Sequence, residues 1–169
     1  MQKVSINAYE YNELNEIAKN KVKEYFNDFE IFQQVEAEES LNKFCEIYNI
    51  KWQEWAIWGS YVNYEFLDTN LEDLSFIRLY KYIQNNIDQK YYTDCYSLTG
   101  VCYDNGLLEP IIKFMKKPYN ITFKELLNIS VKNWINEVET EYNYTQSDDY
   151  ISEVCIDNNY LFTEYGRFI

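Results

Sequence analysis

A capping box that opens a long apolar stripe is the feature that most constrains the fold of this chain. Thr122 and Glu125 are three residues apart, so the threonine oxygen can accept from the backbone N–H of Glu125 while the carboxylate reaches back. The helix that begins there carries one apolar face: Phe123, Leu126, Leu127, Trp134, Ile135, Val138 and Tyr142. Thr145–Ser147 interrupts it, and Ser147 can cap a further helix with two aspartates in its first turn.

Shorter patterns predict the remaining elements. The predicted strands are an edge strand over Lys3–Tyr9, two antiparallel strands within Ile50–Phe66 about Gly59-Ser60, and a terminal hairpin over Tyr160–Ile169 about Glu164–Gly166. The predicted helices run from a cap at Asn12 to Phe26, from Ile31 to Tyr48, from Leu71 to Ile87 with Asn70 as cap, and from Leu107 to Met115 with Pro110 in the first turn. Tyr91–Tyr103 looks extended, and Asp104–Gly106 predicts a turn.

These elements predict an α+β fold with one domain over residues 1–169. Helices would pack on a small antiparallel sheet, followed by a long C-terminal helical segment and the terminal hairpin. The faces expected to be buried are Leu14, Ile17, Ala18, Val22, Tyr25 and Phe26 on the first helix, and Phe32, Val35, Leu41, Phe44 and Tyr48 on the second. Trp52, Trp55 and Trp58 do not share one alternation phase, which indicates a bulge or opposite faces. A tryptophan left exposed there would suit a binding anchor.

Composition excludes several kinds of chemistry. The 169 residues include no histidine, which rules out Ser-His-Asp and Cys-His catalysis and imidazole-ligated metals. Dinucleotide and phosphate-loop motifs are missing from the sequence. The four cysteines show no paired spacing and are expected to be small buried hydrophobes: Cys45, Cys95, Cys102 and Cys155. We therefore expect no enzyme, no cofactor and no metal; a carboxylate-based, Mg²⁺-dependent hydrolase is the lesser alternative.

Charge is concentrated in two stretches of a chain whose net charge is −13. Glu24–Glu54 contains eight acidic and two basic residues, and Asn133–Glu164 contains eight acidic and no basic residues, so the rest is close to neutral. Phosphate binding needs Lys and Arg, so direct contact with nucleic acid or an acidic membrane is not expected. The expected partner is a basic protein surface. No apolar run has the length of a membrane span and no signal peptide is recognisable, which predicts a cytoplasmic protein in the host cell cytosol.

The acidic residues recur at a spacing that suits a nucleic-acid-binding groove. Residues four apart on a helix, such as Glu137 and Glu141, are separated by about 6 Å along the axis. Phosphates on one strand of a duplex advance by about 3.4 Å per step. The predicted partner-binding residues are Glu36, Glu38, Glu39, Glu137, Glu139, Glu141, Asp148, Asp149, Glu153 and Asp157. The alternative is a solvated face that keeps an aromatic-rich chain soluble.

Three stretches of the chain also resemble a known group of proteins. They are YEYNELNEIAKNKVKEYF (Tyr9–Phe26), SLTGVCYDNGLLEPIIKFM (Ser97–Met115) and SDDYISEVCIDNNYLFTEYGRFI (Ser147–Ile169). Together they resemble a loose family of small acidic phage- and prophage-encoded proteins, in which a Tyr-rich strand enters a helix and the chain closes with a hairpin. The family's glycine-rich, Asp-containing segment after the central strands is not matched by GSYVNYEF (Gly59–Phe66). Some members carry an antitoxin-like label.

Charge and resemblance together lead to one expected function and one alternative. The expected function is that of a phage-type inhibitor that binds the basic nucleic-acid-binding surface of a host defence nuclease, with an anti-CRISPR protein acting on a Cas nuclease as the sharpest version. The alternative is an antitoxin-like or regulatory module that grips one protein through aromatic anchors.

Overall fold

A two-stranded antiparallel hairpin lies within the first half of the chain, and helices precede and follow it in sequence. The structure is a computed structural model that describes residues 7–26, 30–93 and 97–169, with only the backbone of residues 30–33. The helices and strands are α1 (Glu16–Phe26), α2 (Glu30–Tyr48), β1 (Ile50–Ala56), β2 (Tyr61–Phe66), α3 (Phe76–Asn86), α4 (Asp104–Lys116), α5 (Phe123–Thr145) and α6 (Asp148–Asp157). The predicted α+β class is confirmed.

The chain divides into two compact units, each with its own apolar core. The sheet unit contains Gln34–Thr140, and the terminal unit contains the described residues before Gln34 and after Thr140. The prediction of one domain over residues 1–169 stays a prediction.

The core of the sheet unit contains buried residues from α2, both strands of the hairpin, α3, α4 and α5. The predicted stripe on α5 is buried from Phe123 to Val138, and Trp134 packs edge-on against Trp55 of β1 at 5.2 Å between ring centroids. Full burial of each such side chain contributes about 1.5–3 kcal/mol. The pairing of β1 with β2 shifts register between Trp52 and Glu54. This bulge explains why the tryptophans change phase, as predicted.

The capping box that opens α5 is confirmed, and it also changes the start of α3. Thr122 Oγ1 accepts from the N–H of Glu125 at 3.2 Å, and the Glu125 carboxylate accepts from the N–H of Thr122 at 2.9 Å. The N–H of Phe123 donates to the carbonyl of Leu74 at 2.8 Å, and that of Phe76 donates to Ile121. This pairing holds the backbone before Phe76 in a bridge, so the predicted helix over Leu71–Ile87 is wrong in its first turn. A short 3-10 turn over Thr69–Leu71 precedes it and is capped by Asp68 rather than by Asn70.

The predicted turn at Asp104–Gly106 is wrong, because these residues form the first turn of α4. The Asp104 side chain is buried, and its carboxylate accepts from the N–H groups of Thr99 and Gly100, both at 2.8 Å. These bonds join the preceding loop to the start of the helix. Since α4 begins three residues earlier than expected, Pro110 lies inside the helix and not in its first turn.

The terminal unit is built from both ends of the described chain. Tyr9 and Phe162 exchange two backbone hydrogen bonds of 2.9 Å, and Phe162 also bridges Phe168. The terminal hairpin is therefore present as single bridges rather than as two short strands. Its core contains residues from the segment before α1, from α1, from α6 and from the bridges: Tyr11, Leu14, Ala18, Val22, Phe26, Ile151, Cys155 and Phe162.

Several predicted details of α1 and α2 are corrected. The Asn15 side chain, not that of Asn12, accepts from the first turn of α1 at 3.0 Å. Ile17 is 85% exposed because it lies about 100° around the helix from buried Ala18. Tyr25 is also exposed, with its ring edge-on to Phe168. Val35 is exposed because it lies about 200° from buried Ala37, whereas Leu41, Phe44 and Tyr48 are buried as predicted.

The last corrections concern a cysteine and a predicted extended stretch. Cys102 is exposed, whereas Cys45 and Cys155 are buried as predicted. Gln89–Tyr92 forms a 3-10 turn, and residues 98–103 form bends and a turn. The extended stretch predicted over Tyr91–Tyr103 is therefore wrong at both ends, and residues 94–96 lie outside the described chain. The predictions for Phe32, Cys95 and the first four residues of the edge strand predicted over Lys3–Tyr9 lie outside the residues or side chains that the structure describes. The described end of that strand forms only a single bridge, at Tyr9.

Candidate functional site

The ten predicted partner-binding residues are divided equally between the two units. The sheet unit holds Glu36, Glu38, Glu39, Glu137 and Glu139. The terminal unit holds Glu141, Asp148, Asp149, Glu153 and Asp157.

Two of the sheet-unit carboxylates hold the hairpin against neighbouring helices. The indole N–H of Trp55 donates to Glu38 on α2 at 3.1 Å. The hydroxyl of Ser60, in the turn between β1 and β2, donates to Glu139 on α5 at 2.8 Å. Both carboxylates are half-buried. Their first role is internal, since each satisfies a donor that would otherwise lack a protein partner.

Glu137 has a similar internal role at the start of α4. Its carboxylate accepts from the N–H of Gly106 at 3.0 Å, in the first turn, where helical N–H groups have no partner in their own helix. Burial raises the pKa of Glu137, the hydrogen bond from Gly106 opposes that shift, and the charge of Glu109 adds to it. A Cβ atom at position 106 would lie 2.5 Å from the Glu137 carboxylate and 2.9 Å from the backbone nitrogen of Trp134. Only glycine allows this approach of α4 to α5.

The remaining pair in the sheet unit, Glu36 and Glu39, are exposed on α2. They leave their carboxylates in solvent, as a partner-binding role requires.

In the terminal unit, Asp148 joins α6 to the N-terminal segment. Its carboxylate accepts from the Tyr11 hydroxyl at 2.5 Å and forms an ion pair with Lys23 of α1 at 2.9 Å. The hydrogen bond from Tyr11, followed by that from Lys23, holds the pKa of Asp148 below its usual value. Asp148 is therefore engaged within its own unit.

Three other predicted residues of the terminal unit, Glu141, Asp149 and Glu153, lie near an exposed tyrosine. The Tyr144 hydroxyl donates to Glu153 at 3.2 Å. That hydrogen bond raises the pKa of Tyr144, and the nearby charges of Glu153, Glu141 and Asp149 raise it further. The structure thus brings together three residues that sequence spacing had placed on two separate helices.

The spacing on α6 extends this group. Asp149, Glu153 and Asp157 are exposed and follow one another four residues apart, about 6 Å each along the helix axis. We call Glu141, Asp149, Glu153 and Asp157, together with Tyr144, the acidic patch. In the part of the chain that the structure describes, no ion pair within 4.0 Å involves these four carboxylates. The patch therefore presents uncompensated negative charge beside an aromatic ring.

Tyr144 and Trp58 are exposed aromatic residues that sequence reasoning did not include among the predicted site residues. Tyr144 lies within the acidic patch, and its hydrogen bond to Glu153 joins the end of α5 to α6, which charge spacing alone does not reveal. Trp58 is 78% exposed in the turn between β1 and β2. The adjacent Gly59-Ser60 pair was the available signal, because a side chain beside a tight turn rarely reaches the core.

Neither a metal cluster nor a membrane span is present in the described part of the chain. Among the described residues, no three or more Cys, Asp or Glu side chains are placed to hold a metal ion. Nor does any described helix combine the length and the apolar character that crossing a bilayer requires.

Comparisons of the chain with known families, proteins and structures identify no relative. No family model matches the chain, and neither the curated proteins nor the solved structures contain a match.

Proposed function

We propose that this protein is a non-catalytic, phage-type inhibitor that acts in the host cytosol by binding a basic, nucleic-acid-binding surface of a defence nuclease. The observation that carries the proposal is the acidic patch, in which solvent-accessible carboxylates lie together and form no ion pair within 4.0 Å with any described residue. A Cas nuclease is the sharpest version of the partner, because its nucleic-acid channel is positively charged. No cofactor or metal is needed for this activity.

Charge complementarity explains how such a patch would act. Opposite potentials steer two proteins together and can raise association rates well above those of neutral pairs, with strong dependence on salt. Asp149, Glu153 and Asp157 are about 6 Å apart along α6, a spacing at which basic side chains of the partner that normally contact successive phosphates could contact successive carboxylates instead. Tyr144 adds a ring over which an arginine or lysine of the partner can lie.

The test is inhibition of target-DNA cleavage by a panel of purified, guide-loaded Cas nucleases, together with association rates at low and high salt. The wild type is expected to inhibit at least one nuclease and to associate more slowly as salt rises. The double variant D149K/E153K should associate at least ten times more slowly and show a flatter salt dependence.

The matched control is the double variant E24K/D73K, which changes the net charge equally at exposed sites outside the ten predicted residues. It should retain most of the association rate. Equal losses in both double variants would mean that net charge alone matters, and the acidic patch would not be the binding site. A wild type that inhibits no nuclease in the panel would contradict the nuclease form of the proposal.

One observation favours the second candidate, a regulatory or antitoxin-like module with aromatic anchors. Trp58 is exposed on a turn that is fixed by the Ser60–Glu139 hydrogen bond and by Lys132, whose ammonium donates to the Ser60 carbonyl at 3.3 Å. A rigid exposed tryptophan is the side chain most enriched among dominant interface residues.

The effects of substitutions on partner binding distinguish this candidate from the first. If Trp58 is the anchor, W58A should weaken partner binding about 30-fold, a loss of about 2 kcal/mol, while D149K/E153K has little effect. I77A removes another exposed apolar side chain from the sheet unit and should leave binding unchanged.

A further inference from the structure

A cleft of about 320 Å³ lies within the terminal unit, beside α6, the helix that carries three of the four carboxylates of the acidic patch. One side is formed by Glu10 and Tyr11, and the other by the last turn of α6 and the segment that follows it. The lining residues on that second side are Cys155, Ile156, Asn159, Tyr160 and Leu161.

Backbone hydrogen bonds hold the second side in place. The N–H of Tyr160 donates to the carbonyl of Cys155 at 2.9 Å, and that of Asn159 donates to Ile156 at 3.0 Å, with Asn159 in the left-handed region at φ 54°. The N–H of Ile169 donates to the Leu161 carbonyl at 3.0 Å. The cleft is therefore preformed, which lowers the entropic cost of filling it.

The first side is joined to the second through the adjoining bridge. Tyr9, next to Glu10, exchanges two hydrogen bonds with Phe162, which follows Leu161. The two walls cannot move apart without breaking this pair.

The cleft combines an apolar floor and rim with acidic neighbours. Tyr11 and Cys155 are buried at its base, whereas Ile156 and Leu161 are large apolar side chains left 58% and 42% exposed. Ile156 lies between Glu153 and Asp157 of the acidic patch in the sequence of α6, so apolar and acidic groups share one helix. An exposed apolar group rimmed by charge is typical of a protein interaction site.

We propose that this cleft receives an apolar side chain, such as phenylalanine, leucine or methionine, from a lysine- or arginine-rich segment of the partner protein. This inference rests on the proposed function, since it takes the partner of the acidic patch to be basic. The acidic patch attracts the segment, and the cleft holds its apolar anchor.

The lining favours an anchor side chain over a small polar ligand. Small-molecule sites use several convergent polar groups to fix orientation. Here the Tyr11 hydroxyl is already bonded to Asp148, and burial raises the pKa of the Cys155 thiol to about 11, which keeps it neutral. Among the described residues, Glu10 is the one carboxylate that lines the cleft, and it suits a basic residue next to the anchor.

The test is a two-dimensional amide NMR titration of the full chain with three synthetic heptapeptides. The first is lysine-rich with a central phenylalanine, the second replaces that phenylalanine with alanine, and the third replaces the lysines with glutamates. The first peptide is expected to bind at least ten times more tightly than the other two and to shift the amide signals of Ile156 and Asn159–Leu161.

Two variants separate this inference from the proposed function. I156A should reduce the advantage of phenylalanine over alanine to threefold or less, while I17A, which truncates an exposed isoleucine of the same unit outside the cleft lining, leaves it unchanged. D149K/E153K should weaken both lysine-rich peptides by the same factor.

The outcomes are distinct. If the phenylalanine and alanine peptides bind equally and I156A has no effect, the cleft inference is overturned and the acidic patch stands. If D149K/E153K leaves the binding of both lysine-rich peptides unchanged, the acidic patch does not attract a basic segment and the proposed function fails. If the acidic phenylalanine peptide binds as tightly as the basic one, the cleft is a binding site of another kind and the proposal of a basic partner is overturned.

Discussion

The close approach of α4 to α5 at Gly106 predicts an unusual effect of a small substitution. In an ordinary exposed helix, Gly→Ala adds up to about 1 kcal/mol of stability through helix propensity. At Gly106 the new methyl group would lie 2.5 Å from the Glu137 carboxylate and 2.9 Å from the backbone nitrogen of Trp134. The carboxylate can rotate away only by giving up its hydrogen bond, and the backbone of α5 cannot rotate at all.

The expected net effect of G106A is a loss of about 2 kcal/mol. Overpacking against backbone costs about 3 kcal/mol at the upper part of its usual range, and propensity returns about 1 kcal/mol. With a slope of about 2 kcal/mol per molar of urea, the unfolding midpoint should fall by about 1 M. Unfolding can be followed by tryptophan fluorescence, since Trp134 is fully buried beside the contact.

Two further variants identify the cause. N105A changes an exposed residue in the same helical turn and should be neutral or slightly stabilising. In an E137A background, G106A should cost about 1 kcal/mol less, because two of its three close contacts are gone. Stabilisation by G106A would refute the close approach, and an unchanged cost in the E137A background would show that the carboxylate is not the clashing group.

Three other outcomes are expected. Because its two partners lower the pKa of Asp148, the stability that this residue contributes is present above the usual aspartate pKa and is lost as pH falls through the lowered value. D148N should therefore cost about 0.5–1 kcal/mol at pH 7, after solvent screening, and less at pH 2, as measured by urea unfolding at both pH values. G166A should lower the free energy of unfolding by more than about 2 kcal/mol in the same assay at pH 7, because φ at Gly166 is 73° and a Cβ atom would meet the α1 backbone at the Ala18 carbonyl. A smaller loss would contradict that contact. Under native conditions at pH 8, iodoacetamide should modify exposed Cys102 and leave Cys45 and Cys155 unmodified, because burial raises the pKa values of these two thiols to about 12 and about 11. Peptide mass spectrometry measures the fraction of each cysteine that is modified, and equal labelling of the three would contradict the burial of Cys45 and Cys155.

What the sequence predicted well was local. The capping box of Thr122 and Glu125 and the cap at Ser147 depend on residues three positions apart, and both are confirmed. The hairpin was also predictable, because its turn and its alternating residues are adjacent in the chain.

What the sequence predicted poorly depended on distant partners. The first turn of α4 is stabilised by a hydrogen bond from Gly106 to Glu137, which lies 31 residues later in the chain. No local pattern at Asp104–Gly106 reveals this contact. The start of α3 was displaced by backbone pairing with residues near Thr122.

The candidate site follows the same rule. The four-residue spacing of Asp149, Glu153 and Asp157 was readable in advance, and the structure leaves all three exposed. The internal role of Glu139 was not predictable, because Ser60, which donates a hydrogen bond to it, lies 79 residues earlier in the chain. Negative charge in a sequence can thus be counted locally, but which carboxylates remain available to a partner is decided by contacts that only the folded chain reveals.

The exchange of hydrogen bonds between Tyr9 and Phe162 has a consequence for synthesis of the protein. The sheet unit is one continuous stretch and can fold as soon as Thr140 has left the ribosome exit tunnel. The terminal unit must wait until Phe162 has emerged, because its first and last segments complete one another. Until then, the apolar residues of α1 lack the partners on α6 and at Phe162 that bury them in the folded unit.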